Sequence, residues 1–264
     1  PLYVDVVKCP LDNAATENDI ENYPFPDPYA KGRLDKARRD IDKYIDSYFV
    51  IGDVEISLFE MAWHLTGLEK YMIGMLCDEP WLNLLNDRVE EWSTGLALQL
   101  VKAGVDAIWF GEDLGSQTST LIAPDDWRIR FKPRHKRMIE KLRKENPDLI
   151  IIMHSDGAVA PLIDDFIEIG VDVYNPVQPN VAGSDPQELK DRYGDKICFF
   201  GGIDQQSLLP SADIVMIREE IKRRISILGK NRGYLLAPAH ILQPDVTTGT
   251  IEEMIKAALE FGNY

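Results

Sequence analysis

Ile150-Ile151-Ile152-Met153-His154-Ser155-Asp156-Gly157 is the stretch that decides the fold. Four apolar residues, three of them β-branched, run directly into a histidine, a carboxylate and a glycine. A continuous apolar run of this kind reads as a strand covered on both faces, as in a parallel sheet flanked by helices. Such a strand delivers the residues after it to the carboxyl end of the sheet, where barrels and open α/β sheets keep their chemistry. His154 and Asp156 are two apart, so in extended backbone they point to one side and can address one point.

The pattern recurs along the chain. Strands are expected at Tyr48–Gly52, Asp106–Phe110, Leu149–Met153, Val171–Tyr174, Ile197–Phe200 and Tyr234–Ala237, each with a polar or glycine-rich exit. Helices are expected at Gly32–Ser47, Leu58–Thr66, Leu68–Cys77, Pro80–Lys102, Asp125–Asn146 with a break at Pro133, Pro161–Ile169, Pro186–Tyr193, Ala212–Leu228 and Thr250–Phe261. Alternating strands and helices mean parallel strands with crossover helices. Special residues at every strand exit fit a barrel better than a doubly wound sheet, which concentrates them at one switch point. Six core strands are two short of a closed barrel. The expected fold is therefore an α/β, (β/α)8 TIM-type barrel that lacks the first two βα units in this numbering. One barrel domain is expected over 1–264, with a short strand at Leu2–Val7, a Pro- and Asn-rich loop at Asp12–Lys31 and a charged helix making 1–47 peripheral.

Composition narrows the function. The chain has 264 residues, 45% of them hydrophobic, and a formal charge of −15. An acidic balance argues against nucleic acid, which demands clustered Lys and Arg. No GxGxxG or GxxxxGK[ST] follows a strand, so nucleotide cradling has no support. Cys9, Cys77 and Cys198 are neither a disulfide framework nor a metal knuckle. No stretch approaches the ~20 apolar residues of a membrane span, and Pro1–Asp5 lacks the profile of a signal peptide. A reducing, cytoplasmic setting is expected. The Met- and aromatic-rich helices from Leu58 to Leu82 read as core or as a subunit interface, which leaves a homodimer open.

The motifs WFGEDLGSQ (Trp109 to Gln117), HSDGA (His154 to Ala158), GVDVYNPVQ (Gly170 to Gln178), FGGIDQ (Phe200 to Gln205) and APAH (Ala237 to His240) follow in order. Together they resemble the uroporphyrinogen decarboxylase superfamily, which also contains cobalamin-linked methyltransferases. The resemblance runs from about Tyr48 to the end, and it is closer to the methyltransferase branch. True decarboxylases of the family are cofactor-free and hold their tetrapyrrole partly through a histidine in a glycine-rich last strand. Here that strand reads LLAPAH and lacks the glycine-rich frame. The methyltransferase branch binds zinc through His-x-Cys on the fifth barrel strand and Cys on the eighth. His154 matches that histidine, Asp156 stands at the first cysteine position, and His240 stands near the second. The resemblance thus implies a divalent metal, zinc foremost, at His154, Asp156 and His240, with a corrinoid as methyl carrier and a corrinoid protein as partner.

Imidazole and carboxylate suit such an ion. An open coordination position there would supply the Lewis acidity that deprotonates a thiol or a water near neutral pH. The bland alternative is that His154 donates to a neighbouring carboxylate and Asp156 orders a loop. Glu112 and Asp113 leave the adjacent strand. One of them can protonate a leaving group, or Asp113 caps the turn while Glu112 pairs with a base. Asn175 and Gln178 can hydrogen-bond a polar substrate, or Asn-Pro is a plain turn. Asp204 follows two glycines at a strand exit, where it serves substrate or caps a helix. His64 reads as packing, the Lys132–Arg137 run with His135 as a solvated helix face, and Cys198 as an inert core thiol. The expected activity is methyl transfer from a methylated small molecule or corrinoid carrier to an acceptor. The alternatives are metal-free decarboxylation of a porphyrinogen and a non-catalytic corrinoid-binding barrel.

Overall fold

A computed structural model describes residues 6 and 8–262, so the strand expected over Leu2–Val7 lies outside the described residues apart from Val6, which is not in a strand. The chain forms two compact units. One comprises Pro1–Asp113 with Asp125–Ile151, the other Leu114–Pro124 with Ile152–Tyr264. Six parallel strands alternate with helices through both, as the sequence reading requires.

In the first unit, α1 (Glu17–Glu21) and α2 (Asp35–Tyr44) precede β1 (Ile51–Val54). Then follow α3 (Phe59–Thr66), α4 (Leu68–Leu76), α5 (Pro80–Ala103), β2 (Ala107–Gly111), α6 (Pro124–Arg130), α7 (Lys132–Glu145) and the start of β3 (Ile150–His154). Helix α1 falls inside the segment read as loop. It is short but fully capped: the Thr16 side chain accepts from the Asp19 N–H, and the Asp19 carboxylate accepts from the Thr16 N–H at 2.9 Å. Pro80 opens α5 at a position where no N–H is needed, and Gly104 ends it in the left-handed conformation. Pro133 starts α7 rather than breaking a helix, since α6 has already ended at Arg130.

Strand β1 pairs with β2 from Ile51 against Ala107 to Val54 against Phe110. Asp106 locks the strand entries. Its carboxylate accepts the Val50 N–H at 2.7 Å, and its carbonyl accepts the Ile150 N–H at 3.1 Å. The core of this unit is aromatic: Phe59 sits 5.7 Å from Tyr71 and 5.8 Å from Phe131 in edge-on contacts, each ring fully buried.

The second unit contains the end of β3, then α8 (Ile163–Ile169), β4 (Val173–Val177), α9 (Pro186–Tyr193), β5 (Cys198–Ile203), α10 (Leu208–Ser211), α11 (Ile214–Leu228), β6 (Tyr234–Pro238) and α12 (Thr248–Phe261). Ile152 pairs with Val173, Val173 with Cys198, and Phe199 with Tyr234, so β3 to β6 lie in chain order. Every strand runs past its expected end; β1 is shifted to Ile51–Val54 from the expected Tyr48–Gly52, and two strands run three residues further than expected. Strand β4 takes in Asn175-Pro176-Val177, with the register against β5 shifting between Tyr174 and Val177. Strand β5 takes in Gly201 and Gly202 at φ of 101° and 97°, backbone that only glycine adopts without strain. Residues read as exits are thus inside strands. Cys198 opens β5 half-buried, not in the middle of it.

The loop after β3 is fixed within this unit. Gly157 has φ 87°, and a Cβ there would lie 2.3 Å from the Gly115 carbonyl carbon. The neighbouring Ala158 N–H donates to the Ser116 carbonyl at 2.7 Å. Gly157→Ala is expected to cost on the order of 3 kcal/mol through strain and a backbone clash together, read as a lowered urea midpoint. An unchanged midpoint would mean that the two loops do not pack this closely.

Candidate functional site

The residues singled out in the sequence fall into two groups, one in each unit. In the second unit, β3 ends at His154, whose Nδ1 lies 2.7 Å from Asn175 Oδ1 on β4. A carboxamide oxygen only accepts, so Nδ1 donates, and in the neutral imidazole Nε2 carries the lone pair. Asp156 follows on the loop, and its Oδ2 lies 3.6 Å from Nε2 of His240, which sits just beyond β6. The His154 and His240 rings are 6.4 Å apart between centroids. All three side chains are part-buried. The structure therefore places Asp156 beside His240 and the two rings near one another at the ends of β3 and β6, but the ligand atoms of the three do not all come within 4.8 Å of one another, so His240 stands further out than the sequence reading expects.

Three further contacts hold this group. The Ser155 N–H donates to the Asn175 carbonyl at 2.8 Å, and Ser155 Oγ accepts the Leu114 N–H at 3.0 Å. Gln178 Oε1 accepts the Gly157 N–H at 2.6 Å, which ties the β3 loop to the β4 exit. Beneath them Tyr174 is buried. Burial, with the Asp156 charge adding to it, pushes its phenol above the usual range, so it stays protonated. Asn175 and Gln178 are themselves buried and committed to these bonds, which makes them orienting groups for His154 and Gly157.

Asp204 caps the turn after β5. Its carboxylate accepts the Gln206 N–H at 2.7 Å, the Ser207 N–H at 3.0 Å and the Ser207 hydroxyl, and it accepts Asn180 Nδ2 at 3.1 Å. Burial alone would raise its pKa, but these bonds outweigh it and hold the carboxyl below the usual value.

In the first unit, Glu112 follows β2 and is wholly buried. Its carboxyl accepts the Ser57 hydroxyl at 2.7 Å, the Leu58 N–H, and the Glu60 N–H at 3.3 Å, so it closes the amino end of α3. His135 Nε2 lies 3.5 Å away and is also buried. Burial pushes Glu112 up to about 8 against the pull of those hydrogen bonds, and pushes His135 down to about 3. Both are uncharged at neutral pH. The basic run thus differs from the solvated face expected of it. His135 stacks on Trp127 at 6.0 Å, and Arg134 reaches Glu90 Oε2 at 3.2 Å on α5, leaving them 1% and 9% exposed. An i, i+3, i+4 count from Met138 and Ile139 back to His135 and Arg134 marks this buried face.

Asp113 is half-buried, and its N–H donates to Glu60 Oε2 at 3.2 Å. Glu60 Oε1 in turn lies 3.7 Å from His64 Nε2. His64 packs on Trp63 with centroids 3.9 Å apart, as expected, and burial lowers its pKa while the Asp113 charge works against that shift. Glu60 and Ser57 were not singled out in the sequence; their signal was the helix start next to the β1 exit. Among the described residues, no helix is long and apolar enough to cross a membrane.

Similarity to known proteins agrees with this fold. The sequence model of the family described as "Uroporphyrinogen decarboxylase (URO-D)" matches residues 10–261. A uroporphyrinogen decarboxylase of Trichodesmium erythraeum (strain IMS101) is 25% identical over 187 residues, 71% of this chain and 49% of that protein. One of Methylococcus capsulatus (strain ATCC 33009 / NCIMB 11132 / Bath) is 24% identical over 191 residues, 71% of this chain and 51% of that protein. The chain spans about half the length of these curated relatives. Among solved structures, a methyltransferase from Methanosarcina mazei superposes with a TM-score of 0.70 at 19% identity, covering 85% of this chain and 62% of that one. At that identity the likeness is one of fold, and it bears out the barrel class read from the sequence.

Proposed function

Since the chain belongs to the uroporphyrinogen decarboxylase (URO-D) family, we propose that it is a methyltransferase of that family, using a divalent metal at His154, Asp156 and His240. The observation that carries this reading is the His154–Asn175 bond. It spends Nδ1 and presents Nε2 as a ligand nitrogen beside the Asp156–His240 pair. A second hydrogen bond of this kind is what metal-binding histidines use to fix tautomer and ring orientation. Two imidazoles and a carboxylate fit zinc and leave a position open.

When bound, the ion supplies a Lewis acid that eases loss of the proton from an acceptor thiol. The protein's own residues do the rest. Asn175 and Gln178 hold the imidazole and the loop, while Asp156 and His240 balance charge. Within the first unit, acid–base chemistry is assigned to Asp113 beside Glu60, with Glu112 holding the β2 exit; within the second, Asp204 orders the loop after β5. In this reading a single barrel domain, 1–264, acts in the cytoplasm on a small methylated compound or a methylated corrinoid on a partner protein, as monomer or homodimer.

The curated relatives favour one second reading, decarboxylation of a porphyrinogen with no metal. Metal analysis of the purified protein, paired with assays on methylcobalamin plus a thiol and on uroporphyrinogen, separates the two. Near-stoichiometric zinc or iron and methyl transfer to the thiol are expected. Metal-free protein that consumes uroporphyrinogen would replace this reading with the second. Metal-free, inert protein that still binds a corrinoid would leave a binding barrel.

A further inference from the structure

We propose that a basic pocket in the second unit, at the carboxyl end of α11, binds a small phosphate monoester with an apolar body. The pocket measures about 500 Å³, a size that takes a small organic ligand. Lys222, Lys230 and Arg232 line it, together with Ile225, Ser226 and Phe261.

Charge is the first argument. The chain carries a formal charge of −15, yet among the described residues no Asp or Glu lines this pocket. The arginines of α11 itself are all paired: Arg218 with Glu253 and Glu260, Arg223 and Arg224 with Glu220. Lys222, Lys230 and Arg232 make no ion pair among the described residues. Three exposed cations around one pocket repel one another, and a dianion among them reverses that repulsion. A monocarboxylate would balance only part of the charge.

The backbone is the second. Asn231 and Arg232 sit at φ of 59° and 71°, and left-handed backbone strains a residue such as arginine. Bonds on both sides hold Arg232 there. Its N–H donates to the Gly229 carbonyl at 2.9 Å, and Nζ of the buried Lys190 donates to its carbonyl at 2.7 Å. The turn that carries the guanidinium is thus set before a ligand arrives, which lowers the ordering cost of binding. A guanidinium meets a phosphate through paired N–H donors.

The floor selects the rest of the ligand. Ile225 is 7% exposed, and Lys222 Nζ lies 5.6 Å from the Phe261 centroid, so apolar surface and positive charge share one wall. An apolar body on the ligand covers that floor and adds affinity that a bare phosphate lacks. The turn leads directly into β6, and His240 lies beyond the other end of that strand. The pocket is a strand's length from the candidate metal group and does not rest on the metal reading.

The test is calorimetric titration of the full chain at physiological ionic strength, with phenyl phosphate as probe. Saturable binding is expected, with weaker binding of inorganic phosphate and of benzoate. Lys230→Gln combined with Arg232→Asn should weaken phenyl phosphate at least about tenfold, since asparagine tolerates the left-handed backbone but lacks the charge. If that double variant fails to fold, Lys222→Gln decides, with an expected loss of about threefold. Lys36→Gln on α2 and His154→Ala should bind as the parent does. The proposal is overturned if phenyl phosphate does not bind at millimolar concentration, or if inorganic phosphate or benzoate binds as tightly. It is equally overturned if Lys36→Gln weakens binding as much as the double variant, or if His154→Ala abolishes it. A chain that sediments with phosphatidylglycerol vesicles but ignores phenyl phosphate would make the pocket a membrane contact instead.

Discussion

Glu112→Ala is expected to remove on the order of 4 kcal/mol of folding stability at pH 7, while Glu112→Gln removes about 1 kcal/mol or less. The alanine leaves the Ser57 hydroxyl and the Leu58 and Glu60 N–H groups buried at the amino end of α3 without their acceptor. Glutamine has the same shape and keeps an accepting oxygen. It mimics the native group because the buried carboxyl titrates at about 8 and is protonated at pH 7. Its folded pKa lies above the unfolded value. The stability it contributes is therefore full below about 4.5, declines as pH rises, and is gone above about 8. His135 acts in the opposite sense: its folded pKa of about 3 lies below 6.5, so its contribution is full above 6.5 and is lost as pH falls toward 3. Urea midpoints measured from pH 5 to pH 9 should fall for the parent and stay flatter for Glu112→Gln. Parallel curves would mean that the carboxyl is ionised in the fold.

His154→Ala is expected to abolish stoichiometric metal binding, and Asn175→Ala to weaken it about 10- to 100-fold with the ligand set intact. The second effect is the more telling. Asn175 reaches no ion in this scheme; it acts only by holding Nδ1 at 2.7 Å. Asn175→Asp keeps an acceptor there and makes the imidazole a stronger donor, so affinity should return to the parent value or exceed it. Zinc titration by calorimetry at fixed pH reads all three. Equal loss in Asn175→Ala and Asn175→Asp would show that the residue only packs β4.

Much of this was legible before any coordinates. The run Ile150 to Met153 placed β3, and the two-residue spacing of His154 and Asp156 put them at one strand exit. What failed to show were features that borrow loop chemistry. Pro176, Gly201 and Gly202 read as exits, yet β4 absorbs its proline with a register shift and β5 its glycines at positive φ. Helix α1 hid among prolines and asparagines, although Thr16-x-x-Asp19 announces its start. Glu112 and His135 were harder, because nothing local says that a carboxylate and a histidine 23 positions apart are buried in contact. Burial of polar groups is a tertiary property, and a single sequence carries only the weak 3.6-residue hint on α7.

The Asn180–Asp204 bond has a practical corollary for chimeras. The turns following β4 and β5 share one carboxylate, so they form a linked pair in recombination. Grafting the first turn from a relative would strand Asp204 without its amide, and grafting the second would strand Asn180. Libraries that shuffle this region should move residues 178–185 and 204–208 as a single cassette.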